Sequence, residues 1–196
     1  MSKNSIDILS LIPEFNKLYI EDLNLKSHHS VFIEEDAYQI LIIRGLDFSN
    51  EGLEFNSSGI VFHNDIPYSY DKTSGGLKKV DNGLNQLFNF LKPIYALNKK
   101  IIDSYILQID PLEDGIFERK TPKFFIDSWF ELKMQLSKIE RHLLRNYQVL
   151  KDFIQSKSKK KGFQHLEFKD LLRTLYQSHS NVNTQISRLD SCIYSA

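Results

Sequence analysis

The sequence contains a single cysteine, Cys192, so no disulfide can close within the chain and a disulfide scaffold is excluded. Long apolar runs are missing too. The longest strongly apolar stretch is Ile40–Ile43, whereas a membrane-spanning helix takes about 20 apolar residues. The opening Met1-Ser2-Lys3-Asn4-Ser5 has no apolar region of the secretory kind. Glycine is sparse, and Gly75-Gly76 lies in neither a Walker nor a Rossmann context. There is no serine nucleophile elbow, no Cys/His pairing and no zinc-type spacing of ligands. These absences assign no catalytic residue and no organic cofactor, and they argue against an enzyme. The chain does have 41% hydrophobic and 12% aromatic residues over 196 positions. That suffices for a substantial core in one or two domains.

Net charge is zero, but it divides unevenly. Residues 1–115 carry 10 Lys+Arg and 17 Asp+Glu, and residues 116–196 carry 15 and 8. An acidic front able to attract cations is followed by a basic back. The front reads as strands. Ile6–Leu11 alternates imperfectly up to Pro13, which predicts a short strand. Tyr38–Leu46 is apolar on both faces over its middle, as in a covered central strand. Leu53–Phe55 and Gly59–His63 follow, and the turn Asn64-Asp65 leads into Ile66–Tyr70. Pro67 predicts that this last strand lies at an edge.

The back reads as helices. Asp81 or Asn82 is a candidate cap for a helix carrying Leu84, Leu87, Phe88 and Leu91, which Pro93 is expected to end or kink. A second stretch runs from Tyr95 to Arg119, with Pro111 as another expected kink. Phe125, Trp129, Leu132, Leu136, Ile139, Leu143, Tyr147, Leu150 and Ile154 then form a near-heptad seam. Polar residues 155–162 interrupt it. Phe168, Leu172, Leu175, His179, Val182, Ile186, Leu189 and Ile193 form a second seam. Two long helices joined by a short loop predict an antiparallel hairpin. The second seam is still in phase at Ala196, with no stop signal, which predicts a helix that continues further. The expected class is α+β with an α/β/α-like arrangement: a mixed sheet flanked by helices over 1–122, then a helical hairpin over 123–196.

Several polar groups offer chemistry. His28-His29 with Glu34-Glu35-Asp36 suggests a metal cluster, but neighbouring residues on an extended segment point apart, and a polar loop fits better. His142 is expected to be exposed, and His179 lies on the apolar seam. The acid pairs Glu34-Glu35 and Glu113-Asp114 lack any partner across a cleft. Lys157, Lys159, Lys160 and Lys161 form a basic tip. Without interleaved arginines and aromatics it reads as a solvated loop, not a nucleic-acid site.

Four segments together resemble the cytosolic domain of CorA-type divalent-cation transporters. They are His29-Ser30-Val31-Phe32, with Ser30 where the family has proline; Asp36–Arg44; Ile109–Arg119; and Leu189-Asp190 with Tyr194. The family's Gly-Met-Asn motif and its membrane helices are absent. The resemblance implies a homopentamer at the inner (plasma) membrane, joined to it by a missing C-terminal segment. The final helix would continue into the bilayer and line a pore. Mg2+ or another divalent cation would be both the transported ion and the regulator, bound between neighbouring subunits to hold the ring closed. By position, Asp47 matches one sensor acid, and Asn183 stands near the other on the final helix, where its neutral amide departs from an acid pair. The competing reading, from the heptad seams alone, is a soluble coiled-coil interaction or scaffold protein.

Overall fold

A computed structural model describes residues 5–50, 52–117 and 125–195. The expected boundary at 122/123 lies outside the described residues. Five strands, β1 (Val31–Glu34), β2 (Tyr38–Ser49), β3 (Gly52–His63), β4 (Ile66–Asp71) and β5 (Gly76–Lys79), form one sheet in sequence order. Every pairing is antiparallel. The α+β class stands, and the mixed sheet becomes a meander, because each connection is a short turn with no crossover helix to make neighbours parallel. The turn Asn64-Asp65 has positive φ at both residues (51° and 62°), the conformation a tight two-residue hairpin needs.

Helices cover both faces. On one side lie α1 (Ile8–Leu11) and α2 (Lys17–Asn24), which bury Ile8, Ile12, Phe15 and Leu23 against Ile40, Ile42, Val61 and Leu77. The expected strand over Ile6–Leu11 is thus a short helix. The Asp7 carboxylate accepts from Ser10 N–H at 2.9 Å and caps it, while Ile6 alone keeps a strand bridge, to Leu77. Pro67 does not mark an edge: β4 lies between β3 and β5. Its carbonyl accepts from Val80 N–H, one residue beyond the end of β5, so the missing N–H falls where the ladder has already stopped.

On the other side lie α3 (Leu87–Ile106), α4 (Ile109–Phe117), α5 (Phe125–Lys157) and α6 (His165–Ser195). Asn82 opens a 3-10 turn over Gly83–Asn85 and makes no side-chain cap. α3 runs through Pro93. That residue is exposed, so the carbonyl deprived of its helical N–H partner is open to solvent rather than stranded in the core. Both seams become the facing sides of α5 and α6, with Leu132, Leu136, Ile139, Leu143, Leu150, Phe168, Leu175, Val182 and Leu189 buried. One hydrophobic cluster joins this hairpin to α3 and the sheet through Leu41, Ile43, Phe62, Leu91 and Ile101.

Candidate functional site

The sheet and the long hairpin are joined by a polar knot built on one backbone segment. β1 pairs with β2 only as far as Val31↔Ile42, yet β2 continues to Ser49. Beyond Ile42, the edge of β2 that β1 would cover is open, and buried backbone groups there need partners. Side chains supply them. Arg44 N–H donates to Ser30 Oγ at 2.8 Å. Asn146 on α5 donates to the Arg44 carbonyl at 3.0 Å, and Leu46 N–H donates to Asn98 Oδ1 on α3 at 2.7 Å. Ser30 Oγ donates in turn to Asn146 Oδ1. Two helices thereby stand in for the missing strand.

His142 completes the knot. With the oxygens of Asn98 and Asn146 committed, both amide nitrogens turn to His142 Nε2, at 3.4 and 3.2 Å. The imidazole therefore accepts at Nε2 and carries its proton on Nδ1. It is 5% exposed, against the expectation of an exposed residue. Burial, reinforced by the charge of Arg44, lowers its pKa from 6.5 to about 3. The sign follows. The unfolded chain takes up a proton near pH 6.5 that the folded chain refuses, so the knot's full stability is present above that value. It is lost as pH falls toward 3, by up to about 1.4 kcal/mol per pH unit. Melting temperature against pH is expected to fall between those limits in the wild type, and His142→Gln should flatten that part of the curve.

The far end of the hairpin is pinned as well. Lys157, expected in a solvated basic tip, is 1% exposed. It donates to Gln39, approaches Asp65 at 3.4 Å and sits 4.4 Å from the centre of the Phe62 ring. Burial lowers its pKa. Lys160 holds the same Asp65 at 2.7 Å, and that hydrogen bond leads the causes that depress the Asp65 carboxyl. At the opposite end Arg188 on α6 binds Glu113 and Asp110 of α4, and Trp129 Nε1–H donates to the Leu189 carbonyl at 2.7 Å. His179 lies within the hairpin, bonded to Glu140 at 2.8 Å.

Asp47 lies inside β2, opposite Glu54 of β3. Its Oδ1 accepts from Phe48 N–H at 2.9 Å, and its Oδ2 from Asn56. Lys26 holds Glu54 at 2.8 Å. Asn183 is exposed on α6. Among the described residues, no hydrogen bond or ion pair joins Asp47 to Asn183 within the chain, and no group of three or more His, Cys, Asp or Glu residues is placed to hold a metal ion. His28 faces Asp22 at 3.5 Å and His29 faces Arg44 at 2.7 Å, so the two histidines diverge as an extended segment requires.

The family model for the CorA-like Mg2+ transporter protein matches residues 70–193. The chain belongs to the CorA-like family. The solved structures agree on the fold. The complete CorA magnesium transporter from Methanocaldococcus jannaschii superposes with a TM-score of 0.70 at 17% identity, over 95% of this chain and 63% of that one. The soluble domain of the same CorA gives 0.68 at 16% identity, over 95% and 80%. The ZntB cytoplasmic domain from Vibrio parahaemolyticus gives 0.62 at 13%, over 94% and 78%. No curated protein sequence matches. This CorA-family chain thus spans less than two thirds of the complete transporter, and among its described residues no helix is long and apolar enough to cross a membrane. Sequence reading missed Asn98 and Asn146 of the knot. Their one signal is an amide at a position that the apolar spacing would bury.

Proposed function

We propose that this chain is the cytosolic, ion-sensing part of a CorA-like divalent-cation transporter, that it works as a ring of like subunits, and that it performs no bond chemistry. The observation that carries this reading is the knot at Arg44–Leu46. It ties the sheet to α5, whose seam packs on α6, so a force applied at the sheet surface would pass through α5 to α6, the helix expected to lead to the bilayer. The ion is Mg2+, regulator and cargo alike, and Asp47 of one subunit with Asn183 of the next would face it across the interface.

The donor chemistry suits that role. Magnesium takes hard oxygen ligands, dehydrates reluctantly and usually keeps several waters. A carboxylate on one copy and an amide oxygen on the next can hold such an ion without a cage inside either chain. The exposed face of α6 presents Ser180, Asn183, Thr184 and Ser187, neutral oxygen groups suited to a hydrated cation path. Loss of the ion would leave acidic surfaces to repel and the ring to loosen.

Sedimentation with magnesium and with EDTA tests the reading. The wild type is expected to sediment as a larger species in magnesium and to melt higher, by about 2.7 kcal/mol of linkage at 100-fold excess over Kd. Asp47→Ala should lose both responses. Coincident profiles for wild type in the two buffers would reject it.

A further inference from the structure

A cleft opens on the hairpin side of the sheet, away from Asp47, with a volume of about 860 Å³. Its walls carry Arg44 from β2 and Lys138, Arg141 and Arg145 from α5, along with His29, and among the described residues no carboxylate lines it. The three α5 cations fall at i, i+3 and i+7, on one face of the helix. Such a density of like charge is unfavourable unless an anion answers it. Among the described residues, Lys138 and Arg141 form no hydrogen bond or ion pair. Arg145 spends only its Nε, on the Ser30 carbonyl at 3.0 Å. The Arg44 guanidinium carbon sits over the Phe55 ring, 3.7 Å from its centre, and its Nε is buried without a partner. The remaining wall joins the apolar side chains of Leu53 and Phe55 to Ser30 and His142 of the knot.

We propose that this cleft binds a phosphorylated small molecule of nucleotide size, an assignment independent of the magnesium reading. The volume lies in the range of small-molecule sites, about 300–1,000 Å³. Guanidinium forks match phosphate oxygens in pairs, and Lys138 adds a point charge. The Arg44–Phe55 stack offers a flat cationic surface against which a base can lie. Because Arg44 is also the residue whose backbone the knot grips, the bound anion would stiffen the joint between sheet and hairpin.

Calorimetric titration of the whole chain, freed of magnesium with EDTA, tests this with ATP, tripolyphosphate and orthophosphate as probes. ATP is expected to bind saturably and to weaken with added salt, tripolyphosphate to bind more weakly, and orthophosphate least. The double variant Lys138→Ala/Arg141→Ala removes no hydrogen bond or ion pair among the described residues and should melt no lower than the wild type without ligand, yet bind ATP at least about tenfold more weakly. No saturable ATP binding, or equal binding by the double variant, would overturn the proposal. Tripolyphosphate binding as tightly as ATP would overturn the role of the apolar wall. A double variant that binds ATP normally but sediments as a smaller species would assign the cations to a second copy of the chain instead.

Discussion

Phe153→Ala is expected to cost about 3–5 kcal/mol of stability, a large share of the roughly 5–15 kcal/mol typical of a domain. Phe153 on α5 is fully buried at the point where the sheet meets both long helices. Its ring lies 5.5 Å from Phe32, 5.6 Å from Phe62, 5.7 Å from Phe163 and 5.6 Å from Phe168. Truncation removes the buried area and opens a cavity among rigid rings that cannot collapse into it. For a chain of this length, each kcal/mol lowers the melting temperature by about 2–4 °C, so a loss on the order of 10 °C should appear in a circular-dichroism melt. Phe153→Leu should recover much of it. Phe130→Ala, at a side chain 60% exposed, should shift the melt by less than about 2 °C.

Asn146→Leu is expected to be nearly as damaging, at about 2–4 kcal/mol, for a different reason. The volume is kept, but the Arg44 carbonyl and the Ser30 hydroxyl lose their partner where Ser30 and Asn146 are themselves buried. Each buried polar group so stranded costs about 1–3 kcal/mol. Urea midpoints measure the loss. Ser30→Ala alone should cost less, and the two changes together should cost less than their sum, because they remove one shared bond. An additive pair would show that the knot is not a unit.

The main lines of the fold were legible because they rest on periodicity. The both-faces-apolar run Tyr38–Leu46 is the covered middle of the sheet, and the spacing of Phe125–Ile154 and Phe168–Ile193 gives α5 and α6. Reading failed where a single local group outweighs the pattern. Asp7 caps a helix that alternation assigns to a strand. Pro93 faces solvent, so it does not stop α3. Pro67 sits where its missing donor has no ladder left to serve.

The site was less legible for a related reason. Histidine, asparagine and lysine are surface residues by default, and only tertiary partners override that. The spacing of α5 places His142 beside the buried Leu143, but nothing local says that Asn98 and Asn146 will answer an unpaired edge of β2. Lys157 is likewise buried by Gln39, Asp65 and Phe62, none of them near it in sequence. The shortness of β1 is the underlying cause of the knot, and Ser30 is the residue that uses it. A proline there could not accept from the Arg44 N–H.

The most direct test of the ring account is cross-linking between copies. With Cys192 replaced by serine, Asp47→Cys protein and Asn183→Cys protein are mixed in magnesium and treated with a short bifunctional thiol reagent. The account predicts a mixed dimer linking position 47 of one copy to position 183 of the next, and its loss in EDTA. Cross-links absent in both buffers, or formed only between identical positions, would contradict it.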